Sequence, residues 1–331
     1  MQDDHVINME SSNPQNPDVI PPSLPQDYPP PTEAPYGQPI QEPPSTNLMF
    51  VKQAFRYLLI YVGLTFLGFL MLALPVAGLL LILDKIFPLG HYISIKGWIL
   101  GFSGIGAQML PLYVFWKKKW CDFSWIRTPR LGKILLWIVV AWLGFMCIDL
   151  FIVEVYTHLS IDVNSQESVS ESGAIPLALI AGCILAPLAE EAFFRGTFER
   201  ILLKTNWKPW YAIMASALVF ALFHVDLYVS TMTFIAGLLM GWIYYRTRNI
   251  WLTVFLHALN NTLSSTVDFV DDFFEGTALD ADMPFYIYVL SSVAGIILIG
   301  VSIRAIGKIV ARNEEMMAMN QGTDHADNSI F

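Results

Sequence analysis

The sequence predicts an all-α protein, a polytopic bundle of about eight transmembrane helices with a disordered tail at each end. Three observations lead to this prediction. Of the 331 residues, 55% are hydrophobic and only 14% are charged, whereas about 25% of the residues in soluble domains are charged. The mean hydropathy is +0.51. The apolar residues also form runs long enough to cross a bilayer, which excludes an ordinary soluble enzyme and a wholly disordered chain.

Residues 1–50 are predicted to form an acidic, proline-rich, disordered tail on the cytoplasmic side. Residues 1–51 contain seven acidic residues, no Lys or Arg, and twelve of the 20 prolines. Such a segment cannot bury enough apolar surface to offset the entropy of ordering the chain. It also lacks the basic start and apolar stretch of a signal peptide. We interpret it as a solvated segment, with docking to a partner as the alternative.

Residues 313–331 are predicted to form a second disordered tail, with four acidic residues and no Lys or Arg. The net charge of -9 therefore arises mainly from the two tails, and the predicted membrane body, 51–312, is nearly neutral. Because nucleic-acid binding requires clustered cations, no nucleic-acid partner is expected.

Eight apolar segments are predicted to span the membrane. The first two contain no charged residue, and the third contains only Asp149, which is expected to pair with another helix or to lie near the outer interface. The fourth is long and interrupted by ionisable residues. The fifth and sixth are short, the seventh carries several polar residues, and the eighth is apolar as far as Arg304. The predicted spans are 57–83, 97–116, 134–153, 174–203, 209–225, 230–245, 250–267 and 286–304.

The distribution of basic residues predicts the orientation of these spans. Sixteen of the 19 Lys and Arg residues precede the first span, follow the eighth, or lie after spans two, four and six. Only Lys85 and Lys96 fall on the opposite side, and Arg195 lies inside a span. Since Lys and Arg are retained in cytoplasmic loops, we predict a multi-pass protein of the cell membrane with both termini in the cytoplasm.

The fourth span contains two adjacent carboxylates and an arginine, in the order Glu190, Glu191 and Arg195. Ionisable side chains inside a membrane are costly and therefore point to function. Glu191 and Arg195 are four residues apart and share a helix face, so an ion pair is expected. Glu190 points about 100° away and is suited to general acid–base chemistry. The alternative is a charge cluster at a helix end.

Two further polar motifs follow in neighbouring spans. His224 ends the fifth span, and His257 and Asn261 share one face of the seventh. The last two could together donate hydrogen bonds to an oxyanion, or could simply join helices. At about 1.5 Å per residue, Glu190 and His224 reach similar depths, with His257 and Asn261 slightly lower. This agreement requires a long fourth helix that is tilted or kinked, with Pro187 as the expected cause of a kink.

The three motifs, Glu-Glu-x-x-x-Arg at 190–195, Phe-x-x-x-His at 220–224 and His-x-x-x-Asn at 257–261, resemble those of the CAAX prenyl endopeptidases and bacteriocin-processing proteins, also called the Abi family. The resemblance covers about 174–267. It implies an intramembrane endopeptidase that acts on a membrane-associated or lipidated peptide or protein. By analogy, Glu190 activates water with the help of His224, His257 and Asn261 hold the oxyanion, and Glu191 with Arg195 orders the helix.

The resemblance leaves the cofactor open, because the family is named as metalloproteases while a metal-free glutamate mechanism is also argued for it. Zinc, if present, would have Glu190, His224 and His257 as candidate ligands. The compact His-Glu-x-x-His motif of soluble zinc proteases is absent from the sequence.

Two other functions are compatible with the same residues. In a proton-coupled transporter they would form a proton relay, although no inverted repeat is visible in the sequence. In a non-catalytic membrane scaffold the proline-rich tail would recruit a partner. Gly237 and Gly241 in the sixth span permit close helix packing under any of these hypotheses.

Overall fold

A computed structural model describes residues 44–91, 93–123, 128–161, 174–224, 226–273 and 283–327. Within these residues the protein is built from eight long helices and has no β-strand. The helices are α1 (Pro44–Ile86), α2 (Ile95–Lys117), α3 (Leu131–His158), α4 (Ile175–Leu202), α5 (Pro209–Leu222), α6 (Leu227–Thr247), α7 (Ile250–Phe273) and α8 (Phe285–Asp327).

The predicted fold class is confirmed, because each predicted span coincides with one of these helices. Six of the described helices, α1, α2, α3, α4, α6 and α8, are long and apolar enough to cross a membrane. Helix α5 has only 14 residues. Helix α7 has 24 residues but is less apolar, because His257, Asn260 and Asn261 interrupt its hydrophobic sequence.

The helical body extends beyond the predicted boundaries of 51 and 312. Helix α1 begins at Pro44, and α8 continues to Asp327 through most of the predicted C-terminal tail. After Asn313, the tail continues with Glu, Met and Ala residues, which favour helix, so a helix started in the membrane can propagate through it. The rest of the predicted N-terminal tail, residues 1–43, lies outside the described residues.

Glycines set the spacing of two helix pairs at the edges of the bundle. Helix α1 packs on α2, and α3 packs on α8. A Cβ atom added at Gly68 or Gly106 would overlap the carbonyl oxygen of the other glycine, so α1 and α2 touch backbone to backbone. Gly144 and Gly295 make the same kind of contact between α3 and α8. Small residues allow this approach in membranes, where close packing is a main driving force for helix association.

Helix α4 is the central element, because it contacts α1, α2, α5, α6 and α7. All nine residues from 191 to 199 are buried. Two of its segments, Ile180–Leu185 and Phe194–Glu199, are π-helical. The first ends two residues before Pro187, whose missing N–H cannot continue the α-helical hydrogen-bond pattern. The predicted long fourth helix is therefore present, with a wide turn on each side of Glu190 and Glu191.

The connection between α2 and α3 ties together the ends of several helices. The Trp120 carbonyl accepts hydrogen bonds from Thr197 Oγ1 at 3.2 Å and Arg200 Nη2 at 2.9 Å. The Phe123 carbonyl accepts one from Trp251 Nε1 at 3.0 Å. These bonds fix the end of α4 that follows the polar motif.

Cys121, in the same connection, is expected to be unreactive in the folded protein. Its side chain is buried, and a Cβ atom added at Gly196 would overlap its sulfur. Burial raises the pKa of the Cys121 thiol to about 12, and thiolate is the reactive form. At pH 8 we expect iodoacetamide, followed by mass spectrometry, to label Cys121 only after denaturation. Rapid labelling of the native protein would contradict this packing.

Candidate active site

The predicted ion pair in α4 is present and completely buried. Arg195 Nη1 donates to Glu191 Oε1 at 2.8 Å, and both side chains are 0% exposed. Arg195 Nη2 donates to the carbonyl of Gly237 in α6 at 3.2 Å. The guanidinium therefore joins two helices, and it supplies the positive charge that keeps Glu191 as a carboxylate in an apolar interior.

His257 of α7 lies between the two glutamates. Its Nδ1 is 3.0 Å from Glu191 Oε1, the same oxygen that binds Arg195. Because that carboxylate can only accept, Nδ1 carries the hydrogen and donates it. The other ring nitrogen, Nε2, is 3.8 Å from Glu190 Oε2. The Glu190 side chain is 19% exposed and that of Glu191 is 0% exposed, so of the two carboxylates only Glu190 can be reached from outside.

Phe220 brings the second histidine to the same place. Its ring centroid is 5.5 Å from that of His224 and 5.7 Å from that of His257. The Arg195 guanidinium carbon lies 4.9 Å from the same ring. His224 Nδ1 faces the Phe220 carbonyl oxygen at 3.3 Å. Within the described residues, no hydrogen bond or ion pair joins His224 directly to Glu190.

Asn261 lies one turn along α7 from His257 and binds the first π-helical segment. Its Nδ2 donates to the Gly182 carbonyl at 2.9 Å. A π turn disturbs the regular hydrogen-bond pattern of an α-helix, and this amide supplies a donor there. The structure therefore gives Asn261 an anchoring contact, and its second N–H remains for other partners.

Asn261→Ala is expected to lower the free energy of unfolding by about 1–3 kcal/mol, because the Gly182 carbonyl would lose its donor. The adjacent Asn260→Ala is the matched control, since Asn260 Oδ1 is buried without a hydrogen-bond partner. Thermal unfolding in detergent measures both variants. Equal melting temperatures for the two would contradict a stabilising role of the Asn261 contact.

The side chains present do not fit a three-ligand zinc site. Within the described residues, no group of three or more His, Cys, Asp or Glu side chains is arranged to hold a metal ion. Of the three candidate ligands, Glu190 Oε2 and His257 Nε2 approach each other at 3.8 Å, whereas no hydrogen bond or ion pair joins His224 to either of them among the described residues.

One buried ionisable residue near the site was missed by the sequence analysis. Glu199 is 0% exposed, and neither carboxylate oxygen has a hydrogen-bond partner. Its position in the sequence could have indicated a buried site, because Glu199 continues the four-residue spacing from Glu191 through Arg195 and so shares their helix face. The other acid noted in the sequence, Asp149, accepts a hydrogen bond from Tyr228 Oη at 2.7 Å, which is the expected contact with another helix.

The fold and this geometry define a class: a helical multi-pass membrane protein with a buried glutamate–histidine–arginine site. Residues 172–263 match the family described as Type II CAAX prenyl endopeptidase Rce1-like, which confirms the resemblance deduced from the three motifs. A Bacillus subtilis (strain 168) protein described as "Putative membrane peptidase YdiL" is 32% identical over 100 residues, which is 30% of this chain and 40% of that relative. No solved structure matches the chain significantly.

Proposed function

We propose that the protein is an intramembrane endopeptidase that hydrolyses a membrane-associated or lipidated peptide or protein. The observation that carries the proposal is the approach of Glu190 to His257, with 3.8 Å between Oε2 and Nε2. Of the two adjacent glutamates that face His257, only Glu190 is accessible. The match of residues 172–263 to a prenyl endopeptidase family supports the same reaction class.

In this proposal Glu190 accepts a proton from a water molecule as the water oxygen adds to the scissile carbonyl carbon. The negative charge then lies on the former carbonyl oxygen, where His257 Nε2 and the free N–H of Asn261 donate hydrogen bonds. His224 assists Glu190 in orienting the water. Glu190 returns the proton to the leaving amine as the carbon–nitrogen bond breaks, which yields a carboxylic acid and an amine.

His257 can donate through Nε2 when both ring nitrogens carry hydrogen. The Glu191 carboxylate compensates that positive charge across the 3.0 Å contact to Nδ1, as an oriented carboxylate does for the histidine of a catalytic triad. The two adjacent glutamates therefore have different roles in the proposed mechanism. Glu190 exchanges protons with water, and Glu191 holds His257 and Arg195 in place.

We further propose that both termini lie in the cytoplasm, on the side that collects the basic connections. The aromatic residues Trp116, Trp207 and Trp210 are exposed next to these connections, as expected of side chains at a membrane interface. Cysteines placed singly in residues 160–170 and labelled from outside intact cells test this orientation. Labelling only after permeabilisation would reverse it.

The test of the activity compares the wild-type protein with Glu190→Gln in detergent micelles and in vesicles. Each is incubated with a broad peptide library that includes lipidated members, and new termini are identified by mass spectrometry. We expect cleavages that occur with the wild type and are absent with Glu190→Gln, which keeps the side-chain shape but removes the base. If the wild type produced no cleavage that is absent with Glu190→Gln, the proposed peptidase function would be overturned. The transporter or the scaffold function would then take its place.

A further inference from the structure

An apolar cavity with a volume of about 420 Å³ lies between α2, α4 and α7. Pockets that hold small organic ligands have volumes of roughly 300–1,000 Å³, so this one is large enough for a ligand. Because the side chains that line it are aliphatic or aromatic, the part of a ligand that enters must be apolar. The lining from α2 and α4 consists of Met109, Leu112, Tyr113, Trp116, Leu185 and Leu188.

Two further lining residues fix the opposite wall of the cavity. They are Phe123, in the connection after α2, and Trp251, in the first turn of α7. Trp251 Nε1 donates to the Phe123 carbonyl at 3.0 Å, and the two ring centroids are 6.3 Å apart. The wall is therefore formed before a ligand enters, which lowers the entropy cost of binding.

The cavity and the proposed catalytic carboxylate lie on different faces of α4. Leu188 and Glu190 are two residues apart in a regular α-helical segment, so their side chains point about 200° apart around the helix. Glu190 approaches His257, with 3.8 Å between Oε2 and Nε2, whereas Leu188 lines the cavity. A peptide held at Glu190 would have to pass around α4 to reach the cavity, so we treat the cavity as a separate site.

Positive charge is concentrated at the rim of the cavity, where α2 ends. Lys117 Nζ donates to Tyr113 Oη at 3.0 Å and lies 5.3 Å from the centroid of the same ring. Lys118 and Lys119 follow directly, and all three lysines are exposed. In the part of the chain that the structure describes, no ion pair involves any of them. The rim therefore favours a negatively charged ligand.

The polar groups at the rim are suited to bind a phosphate. An ammonium group has three donor hydrogens, and Lys117 uses one of them for Tyr113. Because Tyr113 Oη accepts that hydrogen bond, its own hydrogen can be donated to a ligand oxygen. Tyr113 belongs both to the apolar lining and to this polar pair. A single ligand with an apolar chain and a phosphate can therefore reach both regions at once.

We propose that the cavity binds a phospholipid with an anionic head group, with one acyl chain between α2, α4 and α7 and with phosphate oxygens that accept hydrogen bonds from Lys117 and Tyr113. Basic pockets between transmembrane helices are typical binding sites for anionic lipids. The charge of residues 117–119 attracts the net negative head group of phosphatidylglycerol and repels the choline of phosphatidylcholine. The inference goes beyond the proposed reaction and does not depend on it.

The binding test titrates the full chain in detergent with phosphatidylglycerol or phosphatidylcholine of identical acyl chains, and native mass spectrometry counts the bound lipids. One phosphatidylglycerol should bind at least about tenfold more tightly than phosphatidylcholine. Lys117→Gln should weaken phosphatidylglycerol binding about fivefold, as expected for one lysine near an anionic surface, and should leave phosphatidylcholine binding unchanged. Lys308→Gln is the control, an exposed lysine of α8. Equal affinities for the two lipids, or equal effects of the two substitutions, would overturn the proposal.

A larger side chain tests the cavity itself. Leu188→Trp fills the space for the acyl chain and should weaken phosphatidylglycerol binding, while Leu218→Trp, at a 53% exposed position of α5, should not. Thermal unfolding shows whether each variant is folded. If Leu188→Trp does not fold, Met109→Trp fills the same cavity from a position that is 53% exposed. Unchanged affinity in a folded cavity variant would contradict the proposal.

Competition identifies the occupant. Inorganic phosphate should not displace phosphatidylglycerol, because it lacks an acyl chain, and an uncharged palmitoylated peptide should not displace it, because it lacks the phosphate. Displacement by phosphate would indicate a surface anion site, and displacement by the peptide would indicate a substrate site; either result would overturn the proposal. Glu190→Gln should bind phosphatidylglycerol like the wild type, so a failure of the proposed peptidase function would be recognised separately.

Discussion

Replacement of Arg195 by methionine is expected to lower the free energy of unfolding by about 3–5 kcal/mol, because removing one partner of a buried ion pair leaves the other charge uncompensated. Arg195 and Glu191 are both 0% exposed and 2.8 Å apart. Methionine keeps much of the side-chain volume, so the loss reports on charge rather than on a cavity. The measurement is thermal or denaturant unfolding in a mild detergent.

Two further variants test the cause of that loss. Arg304→Met, at an exposed position of α8, removes a positive charge without breaking a buried pair and should be nearly neutral. Glu191→Gln combined with Arg195→Met should recover part of the stability, since the buried charge is then gone as well. If Arg195→Met and Arg304→Met had equal effects, the ion pair would not contribute to the stability of the bundle.

Gly68→Ala is expected to cost about 3 kcal/mol, the upper part of the range for overpacking. The single methyl group would overlap the Gly106 carbonyl oxygen, and the α2 backbone cannot rotate away as a side chain could. Helices α1 and α2 would have to separate along their contact. Yield in the membrane fraction and melting temperature both measure the effect.

Gly63→Ala and Gly78→Ala are the matched controls, because they lie on the same helix with nothing within 4 Å of an added Cβ atom. Both should be neutral or slightly stabilising, since alanine favours helix more than glycine does. A Gly68→Ala protein as stable as the controls would show that α1 and α2 do not meet at these glycines.

The sequence was informative wherever a residue's chemistry conflicts with its surroundings. Glu191 and Arg195 could be paired from their spacing alone, because a charge inside an apolar helix has few ways to be compensated. The eight helices followed from hydrophobic runs. The extent of α8 did not, since charge composition suggested disorder while helix propensity and continuity with a membrane helix favour an extended helix.

Contacts between distant helices were less predictable. The depth estimate brought Glu190, His224 and His257 to compatible levels, but it could not show that His257 faces both glutamates. Asn261 was predicted from its type and face as an oxyanion donor. Its bond to Gly182 depends on a π turn, and Pro187 predicted a distortion of the helix here without specifying that form. Glu199 was missed because a lone acid near a helix end resembles an interfacial charge.

The two wide turns of α4 have a consequence for its tolerance of length changes. A π turn holds one residue more than an α turn, so each is a place where a single residue could be deleted and the helix would still close its hydrogen bonds. A deletion within 180–185 should convert this segment into an ordinary α turn, so that Glu190, Glu191 and Arg195 and also the preceding turn, Ile175–Leu179, keep the faces they present to their neighbours. A deletion between 186 and 193 falls in regular α-helix, where no extra residue can be lost. It would rotate the Glu191–Arg195 ion pair away from His257.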